Sequence, residues 1–133
     1  MRVSFTRALA FLLVIAFMLP LVGCSSNKLD VSDEALALAK DVLRSTDRAL
    51  DGLATVDSAI STADSAYDKL EEIKDYGDNA QLQTKVWTVF ASLSTYKSYL
   101  TKETKAAIEE RRNSLIKSRD RLAESIGEKK YSQ

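Results

Sequence analysis

The sequence predicts an all-α fold, an antiparallel helical bundle built either as one long helical hairpin or as four shorter helices. Three observations carry this. From Ser32 onward there is no proline and only Gly52, Gly77 and Gly127 interrupt a composition rich in Ala, Leu, Glu, Lys and Arg, which are strong helix formers. A seam of Ala35, Ala39, Val42, Thr46, Ala49, Leu53, Val56, Ile60, Ala63, Tyr67 and Leu70 alternates steps of four and three residues, the a/d spacing of a heptad repeat. Charge is split between the halves: residues 30–78 hold 13 acids and 5 cations, residues 79–133 hold 6 acids and 11 cations. An acidic half therefore has a basic half to pack against, although exposed pairs contribute little one by one.

The first helix is expected to start at Ser32, an N-cap residue followed by Asp33 and Glu34, where acids suit the helix dipole. Leu36, Leu43 and Leu50 widen the seam on one flank and Ala59, Ala66 and Ile73 on the other, the change falling near Gly52. A stripe three positions in seven wide suits a helix with more than one neighbour. Gly52–Thr55 is thus either a break, with Thr55 capping a new helix, or a soft point within one helix about 65 Å long; the broad stripes favour the four-helix bundle. Asp75-Tyr76-Gly77-Asp78-Asn79 is the clearest turn: Gly77 suits a left-handed C-cap, and Asp78 with Gln81 resembles a capping box. Leu82, Val86, Val89, Phe90, Leu93, Tyr96 and Leu100 share the next face. After a possible interruption at 101–104, Ala107, Ile108, Leu115, Ile116, Leu122, Ala123 and Ile126 carry the pattern to Gly127. The bundle is read as residues 32–127, and 128–133 as a frayed end.

The N-terminus has a different character. Arg2 and Arg7 precede an unbroken apolar run from Ala8 to Leu19, the charged and apolar regions of an export signal. From Ala8 to Gly23 there are 16 residues, short of the roughly 20 that span a bilayer as a helix. Leu21-Val22-Gly23-Cys24 follows, and this segment resembles the lipobox of bacterial lipoproteins, in which a small residue precedes the cysteine just after the apolar run. The resemblance implies that residues 1–23 are removed by cleavage between Gly23 and Cys24. It also implies that Cys24 carries a thioether-linked diacylglycerol and an N-acyl chain such as palmitate. Cys24 is the chain's only cysteine; it has no internal partner for a disulfide, and lipidation gives it a role. Two or more acyl chains anchor stably where one does not. Ser25, in the sorting position of such proteins, implies the periplasmic face of the outer membrane where the host has two membranes.

Residues 24–31 are expected to form the lipidated N-terminus and a short polar tether. Removing Arg2 and Arg7 leaves 17 Lys and Arg against 19 Asp and Glu, a formal charge of −2, with no general attraction to nucleic acid. The lipobox, short tether and heptad pattern are similar to the murein lipoprotein family of the outer membrane. That family ends in a lysine joined to peptidoglycan, whereas this chain ends Lys129-Lys130-Tyr131-Ser132-Gln133, a departure that argues against a covalent wall link.

Catalytic chemistry has few candidates. The absence of histidine and the single cysteine remove the usual zinc sets and the Ser-His and Cys-His nucleophiles, and four separate glycines form no phosphate loop. Glu71-Glu72 and Glu109-Glu110, if brought together, would suit a hard cation or an acid and base pair; as solvated faces they need no such role. Ser94 with Lys97, and Ser114 with Lys117, have the spacing of a Ser-Lys pair, but such spacing is common on helix surfaces. No cofactor and no enzymatic activity are expected.

For binding, Arg111, Arg112, Lys117, Arg119 and Arg121 offer either a patch for phosphates, anionic lipid or an acidic partner, or a charge-paired helix face. Among Trp87, Phe90, Tyr96 and Tyr99, rotation of 100° per residue sets Trp87 off the Val89–Leu93 stripe, so it either meets a third helix or forms an exposed partner patch. The expected function is a membrane-anchored, non-enzymatic interaction or structural module of the cell envelope, associating with an envelope protein or with itself. The alternatives are a bundle that takes up lipid or a small apolar ligand, with Ala35, Ala39, Ala49 and Ala63 leaving space, and an exclusion lipoprotein of phage or plasmid type.

Overall fold

The computed structural model describes residues 28–131. The export signal, Gly23, Cys24 and the first tether residues lie outside the described residues, as do Ser132 and Gln133. Four helices follow in order: α1 (Asp33–Leu50), α2 (Val56–Glu72), α3 (Asn79–Leu100) and α4 (Lys105–Ser125). Each packs antiparallel against the next. α1 also touches α3 and α4, whereas α2 and α4 occupy the long diagonal and do not meet. The section is a rhombus with α1 and α3 across its short diagonal.

The long-hairpin alternative is overturned at Gly52. Gly52 has φ +73°, a left-handed conformation that side chains disfavour, and the amides of Leu53 and Ala54 both donate to Arg48 O. Thr55 Oγ1 then accepts from Ser58 N at 3.1 Å and opens α2. The heptad seam is not continuous across this break: Leu53 lies on the seam but is 69% exposed in the turn. On α2 the buried line runs through Ala59, Ala63, Ala66 and Leu70, while Val56, Ile60 and Tyr67 are only half-buried. The small side chains of Ala35 and Ala39 on α1 and of Ala59, Ala63 and Ala66 on α2 are all buried, and such residues let helix backbones approach closely. Leu82, Val86, Val89 and Leu93 of α3 and Leu115 and Leu122 of α4 complete the core.

The expected cap is present at Ser32, which accepts from Ala35 N at 3.2 Å; Thr104, read only as part of an interruption, also caps its helix, accepting from Ala107 N at 3.3 Å. Asp78 departs from the expected capping box. It caps no amide of α3; instead its Oδ2 accepts from Asp30 N at 2.8 Å and its Oδ1 from the Gln81 amide at 3.3 Å.

That exchange corrects the reading of residues 28–31 as a free tether. Asp78 N donates to Asp30 O at 2.7 Å, Leu29 N donates to Ser125 O at 2.7 Å, and Leu29 and Val31 pack against the core. The segment is a fifth strip of ordered chain, clamped between the α2–α3 turn and the end of α4. Gly77 makes this possible: at φ +47° a Cβ there would stand 2.4 Å from Asp30 O. Asn79, fully buried, completes the clamp by accepting from Ser32 N and donating to Ser32 Oγ, both at 3.2 Å, and to Ile73 O at 2.7 Å.

The expected fraying of 128–133 is likewise corrected for the part described. Beyond Gly127 the chain turns back into the groove between α1 and α4. Glu128 meets Lys40 at 3.2 Å, Tyr131 N donates to Asp120 Oδ1 at 2.8 Å, and the Tyr131 hydroxyl donates to Asp51.

Candidate functional site

The helix geometry sorts the candidate residues by face. The five-residue basic cluster is dispersed. Arg119 is the core of an internal network: its Nε and Nη2 donate to the two carboxylate oxygens of Asp47 at 2.7 and 2.8 Å, and Nη1 donates to Asp120 and to Lys129 O. Burial opposes its charge, but the bonds to Asp47 and Asp120 and their charges outweigh burial and raise its pKa. Arg112 lies over the Tyr131 ring and Arg111 over the Tyr99 ring, at 5.9 and 4.8 Å from the centroids. Lys117 and Arg121 alone of the five are exposed. Three of the five are therefore engaged within the bundle, Arg119 by charge pairing and Arg111 and Arg112 by stacking on tyrosines.

The two glutamate pairs are not brought together. Glu71-Glu72 ends α2 and Glu109-Glu110 lies in the first turns of α4. These helices do not touch, and the pairs sit at opposite ends of the bundle. Among the described residues no group of three His, Cys, Asp or Glu side chains is placed to hold a metal ion. In the Ser-Lys arrangements, Ser94 Oγ donates to Phe90 O, Ser114 Oγ donates to Glu110 O, and Lys97 is bonded to Asp57.

Of the aromatic group, Phe90 and Tyr96 pack on the core and Tyr99 supports Arg111. Trp87 is different. It stands 51% exposed on α3, bordering a shallow hollow with Tyr67, Gln83 and Thr84. Its inner side meets α2 at Tyr67, and no further helix among the described residues covers its outer side. It heads an outward strip of Ala80, Thr84, Trp87, Thr88, Ala91, Thr95 and Ser98, selected by helical spacing.

This strip carries no charge. Lys85 and Lys97 are the only ionisable groups other than tyrosines on α3, and both turn to its flanks. Lys97 reaches Asp57 of α2, and Glu124 of α4, held in its ionised form chiefly by its bond to Lys130, also feels the charge of Lys85. The hydroxyls on the strip are already engaged with their own helix: Thr84, Thr88, Thr95 and Ser98 donate to Ala80 O, Thr84 O, Ala91 O and Thr95 O. A solvated helix face ordinarily carries charge. Here a half-exposed indole is surrounded by small, internally satisfied side chains, a surface with little hydration to lose on contact.

Three residues that organise the fold carried no legible signal in sequence: Asn79, Asp47 and Asp30. Asn79 and Asp30 read as turn and tether polarity, and Asp47 as one carboxylate of an amphipathic face. The hollows that mark the surface are open grooves between helices. One on the α1–α2 face is lined by Asp41, Arg44, Ser45, Arg48, Ser58 and Thr62, too polar to invite an apolar ligand. Among the described residues no helix is long and apolar enough to cross a membrane. Compared with known protein families, curated proteins and solved structures, the chain shows no match.

Proposed function

We propose that this protein is a lipid-anchored interaction module of the bacterial cell envelope, held on an extracytoplasmic membrane face through Cys24 and engaging a protein partner through the outer face of α3. The anchor rests on the export signal and the Leu21-Val22-Gly23-Cys24 lipobox. The partner face rests on one observation above others, the half-exposed Trp87 on a charge-free helix face. Tryptophan is the residue type most enriched where binding energy concentrates, and exposed aromatic patches on small domains mark contact sites.

Uptake of an apolar ligand is less well supported. Of the alanines offered as cavity-forming, Ala35, Ala39 and Ala63 are fully buried within the packed core cluster, where they bring helices together, and Ala49 is partly buried against it. No observation favours the exclusion-lipoprotein reading.

The anchor is tested by intact-mass analysis of the chain expressed with its own signal, beside Cys24→Ala. The expected mass begins at Cys24 and carries a diacylglyceryl group that the variant lacks; an unlipidated chain would remove the anchor. The partner face is tested by a photoreactive side chain at Trp87 in living cells, where a defined protein adduct is expected and its absence would sink the interaction role.

A further inference from the structure

The two shoulders of the charge-free α3 strip have opposite sign. On α2, Asp57, Asp64, Asp68 and Glu71 are exposed and lie along the edge beside α3; Asp57 is fixed there by Lys97 of α3, and Asp64 and Glu71 follow at heptad intervals. On α4, Ser114 borders the same hollow as Thr88, Ala91 and Thr95 of α3, which places Arg121, one heptad on, and Lys117 on this edge. Arg111 lines the hollow too, with its buried Nε unpartnered. The exposed acids on this edge of α4 are Glu110 and Glu124, the latter bonded to Lys130 and near Lys85.

One acid and one cation of these edges also match in height. α2 ends at Glu72, α4 ends at Ser125, and both ends lie at the end of the bundle where α3 begins at Asn79. Gln83 of α3 donates to Tyr67 O of α2, and Ser92 of α3 meets Ser118 of α4, so Asp64, three residues from Tyr67, and Arg121, three residues from Ser118, both come within about 5 Å of the level of Trp87.

We infer that the occupant of this face is a second copy of the chain, related by a two-fold axis running parallel to the helices. A two-fold contact uses the same patch on both copies, and the axis direction decides what meets what. An axis along the helices keeps every residue at its own height and lays the α2 edge of one copy on the α4 edge of the other. Asp64 then faces the partner's Arg121, and Trp87 comes level with the same guanidinium, a cation for its ring. An axis across the helices would lay acid on acid and base on base, which like-charge repulsion opposes. The pairing rests on the interaction reading above and specifies its partner.

The test uses the full chain in membranes with a single added cysteine, Thr84→Cys or Thr95→Cys, two strip positions about 16 Å apart along α3. Mild oxidation is expected to give disulfide-linked homodimer from each variant separately, and none from the parent chain. Asp64→Lys should abolish both products, and adding Arg121→Asp should restore them. Trp87→Ala should weaken pairing about 30-fold. Product only when the two cysteine variants are mixed would mean antiparallel pairing and overturn the axis. No product from chains that remain helical by circular dichroism would overturn self-association. Adducts of these cysteines with a different protein would also overturn it, yet leave the interaction reading standing, whereas absence of lipid at Cys24 would fail the anchor alone.

Discussion

Gly77 and Gly52 provide a matched pair of perturbations. Both have positive φ, +47° and +73°, so alanine at either meets the left-handed penalty of about 1 kcal/mol. They differ in what surrounds the added Cβ. At Gly52 nothing lies within 4 Å, whereas at Gly77 the backbone oxygen of Asp30 lies at 2.4 Å. Asp30 must withdraw, and the bonds Asp78 N to Asp30 O, Asp30 N to Asp78 Oδ2 and Leu29 N to Ser125 O go with it. These groups can rebind water, so each counts at the low end of a net hydrogen bond, together about 2 kcal/mol. Gly52→Ala should therefore cost about 1 kcal/mol and Gly77→Ala about 3 kcal/mol. For a domain of this size these correspond to Tm falls of about 5 °C and about 15 °C. Thermal unfolding followed by circular dichroism measures both. Amide hydrogen exchange supplies the local check, since only Gly77→Ala should strip protection from the Asp78 amide. Equal losses from the two substitutions would show that residues 28–31 add nothing to the fold, and the docked-tether reasoning would fail.

The Arg119–Asp47 pair should couple strongly: breaking a buried pair costs 3–5 kcal/mol. Because Asp47 is 31% exposed against 7% for Arg119, Arg119→Ala is expected to cost about 2–3 kcal/mol, with a double-mutant coupling of about 1.5 kcal/mol; coupling under about 0.5 kcal/mol would make it an ordinary surface pair. Tyr131 should respond to alkali. Its bond to Asp51, helped by partial burial and the Asp51 charge, raises its pKa above 10, so this contribution is complete below the unfolded value and lost as pH rises through the folded one. Unfolding curves of the parent and Tyr131→Phe chains should therefore converge in strong alkali, and a gap that is independent of pH would refute the bond. Leu53 and Leu70 share one heptad seam, yet Leu53→Ser should change stability by less than about 0.5 kcal/mol. Leu70→Ala should cost about 2–5 kcal/mol, and similar losses would restore the continuous-seam alternative.

The helices were legible because their signals are local. Ser32 and Thr55 announce their caps by residue type, and Leu82, Val86, Val89 and Leu93 by spacing. The break at Gly52 was legible only as an alternative, since heptad phase survives a short turn: Leu53 keeps its register while leaving the core. What sequence did not carry was the use of polar groups across long separations. Asp47 finds Arg119 72 residues away, and Asp30 finds Asp78 48 residues away; no periodicity marks either partner. The same holds for α3. That its bare strip lies between an acidic and a basic edge depends on which helices flank it, and hence on the rhombic packing.

Docking of residues 29–31 bears on how two copies can meet. Leu29 is held to Ser125 and Asp30 to Asp78, so the chain leaves the bundle at the end where α2 and α4 finish. From Lys28 back to Cys24 is four residues, at most about 14 Å extended. A lipid on Cys24 would thus hold that end of the bundle at the membrane, with α3 rising from it. Two copies anchored in one leaflet present their α3 faces in the same direction, which is the relation that an axis parallel to the helices produces. An antiparallel pair would separate the two anchored ends by about the length of α3, roughly 33 Å, and only one could reach a given surface. The charge pattern on α2 and α4 owes nothing to the anchor, and the anchor's position owes nothing to those charges. Both select the same symmetry, so reversing the charges on one edge should disrupt pairing on the membrane without disturbing attachment to it.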